Sequence, residues 1–324
     1  YQANKVIVLS AVDKDKLIQL PRTFNSPMGM ATAKDSLAVA TRNEVIVLRN
    51  DKGLAQSYPA KPNVYDGMYV PRSRYNTGYV AMHDMAFGEG NNIVGVNTLF
   101  SCLCNIDHQY SFTPFWKPPF ITDLASEDRC HLNGLAMRNG QPAFVSALGS
   151  GDQPQSWREN ITTGGVLVDI ASNEIVAAGL PMPHTPRWYD NKLFCLLSAA
   201  QQLVCVDTDT GKYEVVAEIP GFVRGMDRIG DYLFIATSKL RKNSSTFRHL
   251  EIANVADKAS IVLLHLPTGS IVSRLEYQMS VDEIYDIQII AGSKRPNLFN
   301  TNTKAHQSAL HLPQATFWAA PANG

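Results

Sequence analysis

No run of eighteen apolar residues occurs in the 324-residue chain, and no block of five like charges. The first absence removes a membrane-spanning helix, and the second leaves nucleic acid or an anionic membrane without an electrostatic footprint. Basic and acidic side chains number 29 each, so the formal charge is zero, which again points away from nucleic acid. Charged residues are 18% of the chain against 45% hydrophobic, a balance that excludes a disordered tail and suits one or two cored domains. Five cysteines, an odd number with no CxxC pair, exclude a disulfide framework or a zinc knuckle. Cys195 and Cys205, inside apolar runs, read as buried thiols, and the set favours a reducing cytoplasm. No basic segment followed by an apolar one opens the chain, although a start at Tyr1 leaves a removed leader open.

Amphipathic helical spacing is scarce. What recurs instead are short apolar runs rich in β-branched residues, separated by Gly, Asn, Asp and Pro, which read as strands. Four pairs share a tight polar turn: Val6–Leu9 with Lys16–Leu20, Val166–Ile170 with Ile175–Ala178, Leu203–Val206 with Tyr213–Ala217, and Ile261–Leu264 with Ile271–Leu275. A tetrad recurs beside them: Ser26-Pro-Met-Gly29, His83-Asp-Met-Ala86, His131-Leu-Asn-Gly134, His184-Thr-Pro-Arg187, Phe222-Val-Arg-Gly225 and Glu283-Ile-Tyr-Asp286. The tetrads lie 38–61 residues apart, the length of a propeller blade. After the first five a second apolar strand follows; the second strand of the sixth is not evident.

The reading is all-β: a single six-bladed propeller over residues 1–324, with blades starting near 26, 83, 131, 184, 222 and 283. Residues 1–24 complete the sixth blade and close the ring, which removes sheet edges, while the tail from 300 to 324 has no assigned place. Connectivity puts the long insertions, Leu148–Gly164 and Lys239–Ser260, on the tetrad face, where Trp157, Arg158, Phe247 and Arg248 suggest a functional rim.

Strand alternation turns the first and third tetrad positions toward the central channel. His83, His131 and His184 then share one repeat position in three consecutive blades, an open facial set suited to a divalent transition metal, zinc or iron first. Glu283 is a fourth ligand, a base on metal-bound water, or a carboxylate neutralising Arg224. Arg224 clamps a substrate carboxylate or an oxyanion, and Tyr285 acts as acid or base. Asn133, Arg187 and Trp157 are substrate-binding candidates, with Arg187 alternatively buried between blades. Asp84, turned off the channel, would fix a histidine tautomer. Asp207-Thr-Asp-Thr-Gly211 lacks the closing glutamate of a calcium loop and reads as a turn.

At Ser26-Pro-Met-Gly-Met-Ala, Val96-Asn-Thr-Leu-Phe-Ser-Cys-Leu, Glu127-Asp-Arg-Cys-His-Leu-Asn-Gly, Met182-Pro-His-Thr-Pro-Arg-Trp-Tyr and Glu283-Ile-Tyr-Asp, the chain resembles a bacterial propeller family of unknown function. That resemblance implies six blades and a cytoplasmic protein, and carries no activity. In architecture and ligand type alone, the set is similar to the lyase that completes peptide amidation, which holds zinc through three histidines from different blades. His83, His131, His184, Tyr285 and Arg224 match its residue types. The expectation is a metal-dependent lyase or hydrolase acting on a small, carboxylate-bearing or peptide substrate. The alternative is a non-catalytic propeller presenting Trp157, Phe115 and Trp116 to a protein or peptide partner.

Overall fold

The apolar runs pair into strands in the computed structural model, which describes residues 3–240, 247 and 250–319. Arg248 and the segment 241–246 lie outside the described residues. Among these residues the architecture is an all-β propeller with five blades, each a four-stranded antiparallel meander. An N-terminal hairpin precedes them, β1 (Lys5–Ala11) with β2 (Leu17–Thr23). The first blade is β3 (Met30–Ala33), β4 (Ser36–Ala40), β5 (Glu44–Asn50) and β6 (Gly67–Asn76). The second is β7 (Met82–Phe87), β8 (Ile93–Asn97), β9 (Cys102–Ile106) and β10 (Thr113–Trp116). The third is β11 (Leu132–Arg138), β12 (Gln141–Ala147), β13 (Gly165–Asp169) and β14 (Ile175–Leu180). The fourth is β15 (Pro183–Tyr189), β16 (Lys192–Leu197), β17 (Gln202–Val206) and β18 (Tyr213–Glu218). The fifth is β19 (Phe222–Ile229), β20 (Tyr232–Ser238), β21 (Ser260–His265) and β22 (Ser270–Glu276).

All four hairpins expected from the sequence are present. The second strand of each blade is buried most completely, as in Ser-Leu-Ala-Val-Ala of β4, because neighbouring blades cover both of its faces. Blade-to-blade packing forms the core: Val94, Leu103, Leu132 and Val145 join the second blade to the third, and Phe194, Leu203, Leu233 and Val262 join the fourth to the fifth. The Asp207 loop is a turn, its carboxylate accepting from the backbone N–H groups of Asp209 and Thr210.

The sixth tetrad behaves differently. Residues 283–290 form no strand, and 286–290 make no backbone–backbone hydrogen bond among the described residues. Side chains hold this segment instead. Asp227 Oδ2 accepts from Ile289 N at 2.6 Å, and Asp286 Oδ2 accepts from Met30 N at 2.9 Å, so it is tied to β19 on one side and β3 on the other. The chain then adds β23 (Pro296–Leu298) parallel to β6. The tail finds a place on the first blade. Its hairpin, β24 (Ala309–His311) with β25 (Thr316–Trp318), covers the helix α1 (Lys52–Gln56) inserted after β5. There Trp318 Nε1 donates to Leu54 O at 3.2 Å, and His311 pairs with Asp51, the residue capping α1.

Candidate functional site

The tetrads open the inner strands, but the expected alternation does not run through them. In four of the five blades the pairing of the inner strand with the second strand shifts register inside the tetrad region: between Met82 and Met85, Leu132 and Gly134, His184 and Arg187, and Val223 and Met226; β3 pairs with β4 without a shift. A bulge of this kind re-aims side chains. Met85 therefore packs in the core between the first and second blades rather than in the channel. Asn133 is 4% exposed, donates to Pro183 O at 3.0 Å and accepts from Ser146 Oγ at 2.6 Å. Both amide groups are used inside the fold, so Asn133 joins the third blade to the fourth.

The first position does assemble. Trp157 lies under His131 with ring centroids 4.3 Å apart, and His131 meets His83 edge-on at 4.8 Å. His83 meets the Tyr285 ring at 5.6 Å, and the Arg224 guanidinium stands 4.9 Å from the Tyr285 centroid and 5.3 Å from that of Phe222. Phe222 reaches His184 at 6.2 Å. One chain of contacts thus joins side chains from the second, third, fourth and fifth blades and from the sixth tetrad.

Each imidazole is anchored at Nδ1. In His83 and His184 it bonds to the carbonyl two residues earlier, Ala81 O at 2.8 Å and Met182 O at 3.1 Å, and Ser198 Oγ also lies 2.8 Å from the His184 nitrogen. In His131 the partner is the Asp128 carboxylate, at 3.0 Å from both oxygens. Trp157 Nε1 donates to Asp128 Oδ2 at 3.2 Å, holding the carboxylate from its other side. Asp128 and His131 both adopt left-handed backbone, φ 50° and 52°, a strained conformation of the kind that collects at functional sites. Reasoning from the sequence missed Asp128; the Asp-x-x-His spacing was the available signal. Trp157, at 4% exposure, is a supporting core residue rather than a surface contact for substrate. Trp116, bonded to Asn173, is half-buried, so the expected exposed aromatic patch keeps only Phe115.

Electrostatics favour uncharged rings at His83 and His184. Burial, then the fields of His131 and Arg224, hold His83 well below the usual imidazole range, and burial with the Arg224 field pushes His184 down to about 3. Arg224 Nε is buried and makes no hydrogen bond among the described residues. Arg187 is bonded between blades, the second of the two placements expected for it. Its Nη1 donates to Asp84 Oδ2 at 2.8 Å and to Leu135 O at 2.7 Å, an ion pair joining three blades. Among the described residues Asp84 therefore orients no histidine; it also accepts from the N–H groups of Met85 and Leu135. Burial and the Asp84 carboxylate raise the Asp286 carboxyl. Burial also pushes the Cys130 and Cys195 thiols up to about 12, which makes both poor nucleophiles, while Cys205 is only half-buried.

Among the described residues no group of three or more His, Cys, Asp or Glu side chains is arranged to hold a metal ion. The His83 and His131 rings meet edge-on, while His184 is linked to them only through Phe222, Arg224 and Tyr285, so this arrangement does not fit a three-histidine metal centre. A cavity of about 520 Å³ lies alongside; Glu283 and Tyr285 line it, but none of the three histidines does.

Comparisons with known proteins bear on the fold. No curated protein matches. A chain of a nidogen/laminin complex superposes with a TM-score of 0.54 at 8% identity, covering 87% of this chain and 96% of that one, a likeness of fold alone. A catalytically inactive virginiamycin B lyase from Staphylococcus aureus, solved with quinupristin, is similar at a TM-score of 0.42 and 13% identity over 72% of this chain and 71% of its own. Residues 1–299 match the family model described as a domain of unknown function, DUF4915, and the chain belongs to that family.

Proposed function

We propose that the tetrad-face end of the channel binds a small carboxylate-bearing molecule and acts on it by proton abstraction, in a lyase or hydrolase reaction. The observation that carries this reading is the Asp128–His131 dyad in one chain of contacts with Arg224, whose buried Nε makes no hydrogen bond among the described residues. A buried guanidinium nitrogen without a partner is costly, and a ligand carboxylate would satisfy it with a charge-assisted bond. Asp128, accepting from the Nδ1–H of His131, selects the tautomer whose Nε2 is an acceptor, the arrangement of an oriented general base. His83 and His184, held neutral, leave the cationic character of the site to Arg224. The Tyr285 hydroxyl is the donor for a leaving oxygen. The reaction would pass a proton from substrate carbon, or from an attacking water, to His131 Nε2, and another from Tyr285 to the departing group.

The same reading takes residues 283–290 as the inner strand of a sixth blade position completed by the N-terminal hairpin. Its support is a repeated close approach. A Cβ on Gly29 would stand 3.0 Å from Asp84 Cα, one on Gly134 2.9 Å from Thr185 N, and one on Gly225 2.7 Å from Asp286 Cα. The sixth tetrad thus abuts the fifth blade as the second abuts the first and the fourth abuts the third.

The test is calorimetric titration with a panel of small mono- and dicarboxylates against the protein and Arg224→Gln. At least one acid should bind with an affinity that falls about 10- to 100-fold in the variant. Absence of binding across the panel, or equal binding to Arg224→Gln, overturns the reading.

A further inference from the structure

The 520 Å³ cavity has walls of an unusual kind. Consecutive residues line it on two sides: Lys5, Val6, Ile7, Val8 and Leu9 of β1, and every residue from Glu283 to Ile290. Successive strand residues point to opposite faces, so a cavity meeting a strand face-on touches alternate residues only. Contact with both parities means that the cavity runs along the backbone edges of the two segments. β1 pairs with β2 alone, and 286–290 make no backbone–backbone hydrogen bond among the described residues. The other two walls are sheet faces. Phe234, Leu263 and Ser273 form one cross-strand row of the fifth blade and Ile261 with Leu275 the next, all on a single face, and the cavity reaches the outer edge of the blade at Arg274 of β22. Met30 and Leu37 of the first blade lie opposite.

Two backbone edges and two apolar faces define the slot that a second strand fills in each of the five blades. There it is held by β4, β8, β12, β16 or β20, which are buried on both faces over most of their length. The hairpin does not fill it. Val6, Val8, Leu20 and Ile290 pack with Leu37 and Val39 on the first blade, and Arg22 Nη2 donates to Asn297 Oδ1 at 2.8 Å, which holds β2 beside β23. On the fifth blade Phe234, Ile261 and Leu263 remain only half-buried.

We infer that this slot is a strand-docking site, and that its occupant is an extended, uncharged, apolar segment of a partner polypeptide. Such a segment adds between β1 and 283–290 by main-chain hydrogen bonding, with side chains packing on the fifth and first blades. Specificity follows from the apolar side chains that the fifth and first blades present, on which an apolar residue packs and a charge would lose its water. This inference rests on reading 283–290 as an inner strand. It fails or holds independently of carboxylate binding, because its probe is neutral and its variants lie outside the histidine ring.

The probe is a fluorescent, end-capped peptide of the β4 sequence Ser-Leu-Ala-Val-Ala, titrated by anisotropy against the protein. Saturable binding is expected, weakened about tenfold or more when the central Ala of the peptide is replaced by Asp. Leu263→Trp, which fills the slot from its floor, should weaken binding at least as much. Ser273→Trp, on the exposed outer strand of the same row, repeats the test where folding is not at stake. Hydrogen exchange should slow at the amides of Lys5–Leu9 and 284–290 on peptide addition. No saturable binding below about 1 mM, binding unchanged in both variants, or protection elsewhere overturns the inference. Binding of an apolar dye that the peptide does not displace also overturns it, by identifying a small-molecule pocket.

Discussion

The Asp128 carboxylate lies 3.0 Å from His131 Nδ1 through both of its oxygens, and the indole of Trp157 caps the same carboxylate at 3.2 Å. A carboxylate so held does not itself exchange protons with substrate; it sets which ring nitrogen is the base. Asp128→Asn keeps the size of the side chain but allows the amide to favour the other tautomer. Turnover of the carboxylate identified by titration should fall about 10²- to 10⁴-fold in this variant, with ligand affinity nearly unchanged. Equal losses in affinity and turnover would reassign Asp128 to holding the fold.

Arg187 and Asp84 carry an inter-blade ion pair whose side chains are 16% and 6% exposed. Removing one partner leaves the other charge buried, so Arg187→Leu should cost about 3–5 kcal/mol in urea denaturation. Exchanging the two residues should not restore stability, because Asp84 also accepts from the N–H groups of Met85 and Leu135, which an arginine cannot do.

His184 makes stability depend on acidity in a defined direction. Its ring takes a proton near 6.5 when unfolded but only at about 3 when folded, so unfolding takes up a proton between those values. The contribution is present above about 6.5 and is lost as the pH falls toward 3. His83, lowered by the same burial, acts with the same sign. The Asp286 carboxyl, raised by burial, acts with the opposite sign: its contribution is present in acid and lost as pH rises. Melting temperatures of the parent and His184→Gln should therefore converge as the pH is lowered from 7 to 4. Parallel curves would mean that the His184 ring is solvated.

Gly225 is set against Asp286 so closely that a methyl group would overlap main-chain atoms at 2.7 Å. Because backbone cannot swing aside as a side chain can, Gly225→Ala should destabilise by about 1–3 kcal/mol in chemical denaturation. The same change should speed hydrogen exchange across 284–290, the segment that Gly225 abuts.

Metal content separates the present arrangement from a reorganised one. Protein purified without a polyhistidine tag should contain no stoichiometric transition metal by elemental analysis, since the described imidazoles do not converge. One equivalent of metal, absent from His131→Ala, would show that the rings rotate to share a centre.

Strand content, hairpin pairing and the order of the tetrads were legible in the sequence because each depends on local alternation and turn chemistry. The nearness of His83, His131, Tyr285 and Arg224, and through Phe222 of His184, was legible for a related reason, since a repeat brings the starts of successive units to one end of the fold. Alternation failed within the tetrads. The bulges that turn Met85 and Asn133 into the fold depend on pairing with a second strand, which no single strand's pattern encodes. Asp128 was hidden for another reason, lying before its tetrad in an irregular link where no period applies. The Asp84–Arg187 pair spans 103 positions, a separation at which only the closed geometry reveals a contact.

That pair also fixes the sectors of the ring to one another. Arg187 reaches from the fourth blade past the third to the second, and Asp286 of the sixth tetrad lies near enough to influence its charge. Side chains of the second, fourth and sixth tetrads and the Leu135 carbonyl of the third blade therefore gather around one guanidinium, so that a change at this single group reaches four sectors at once.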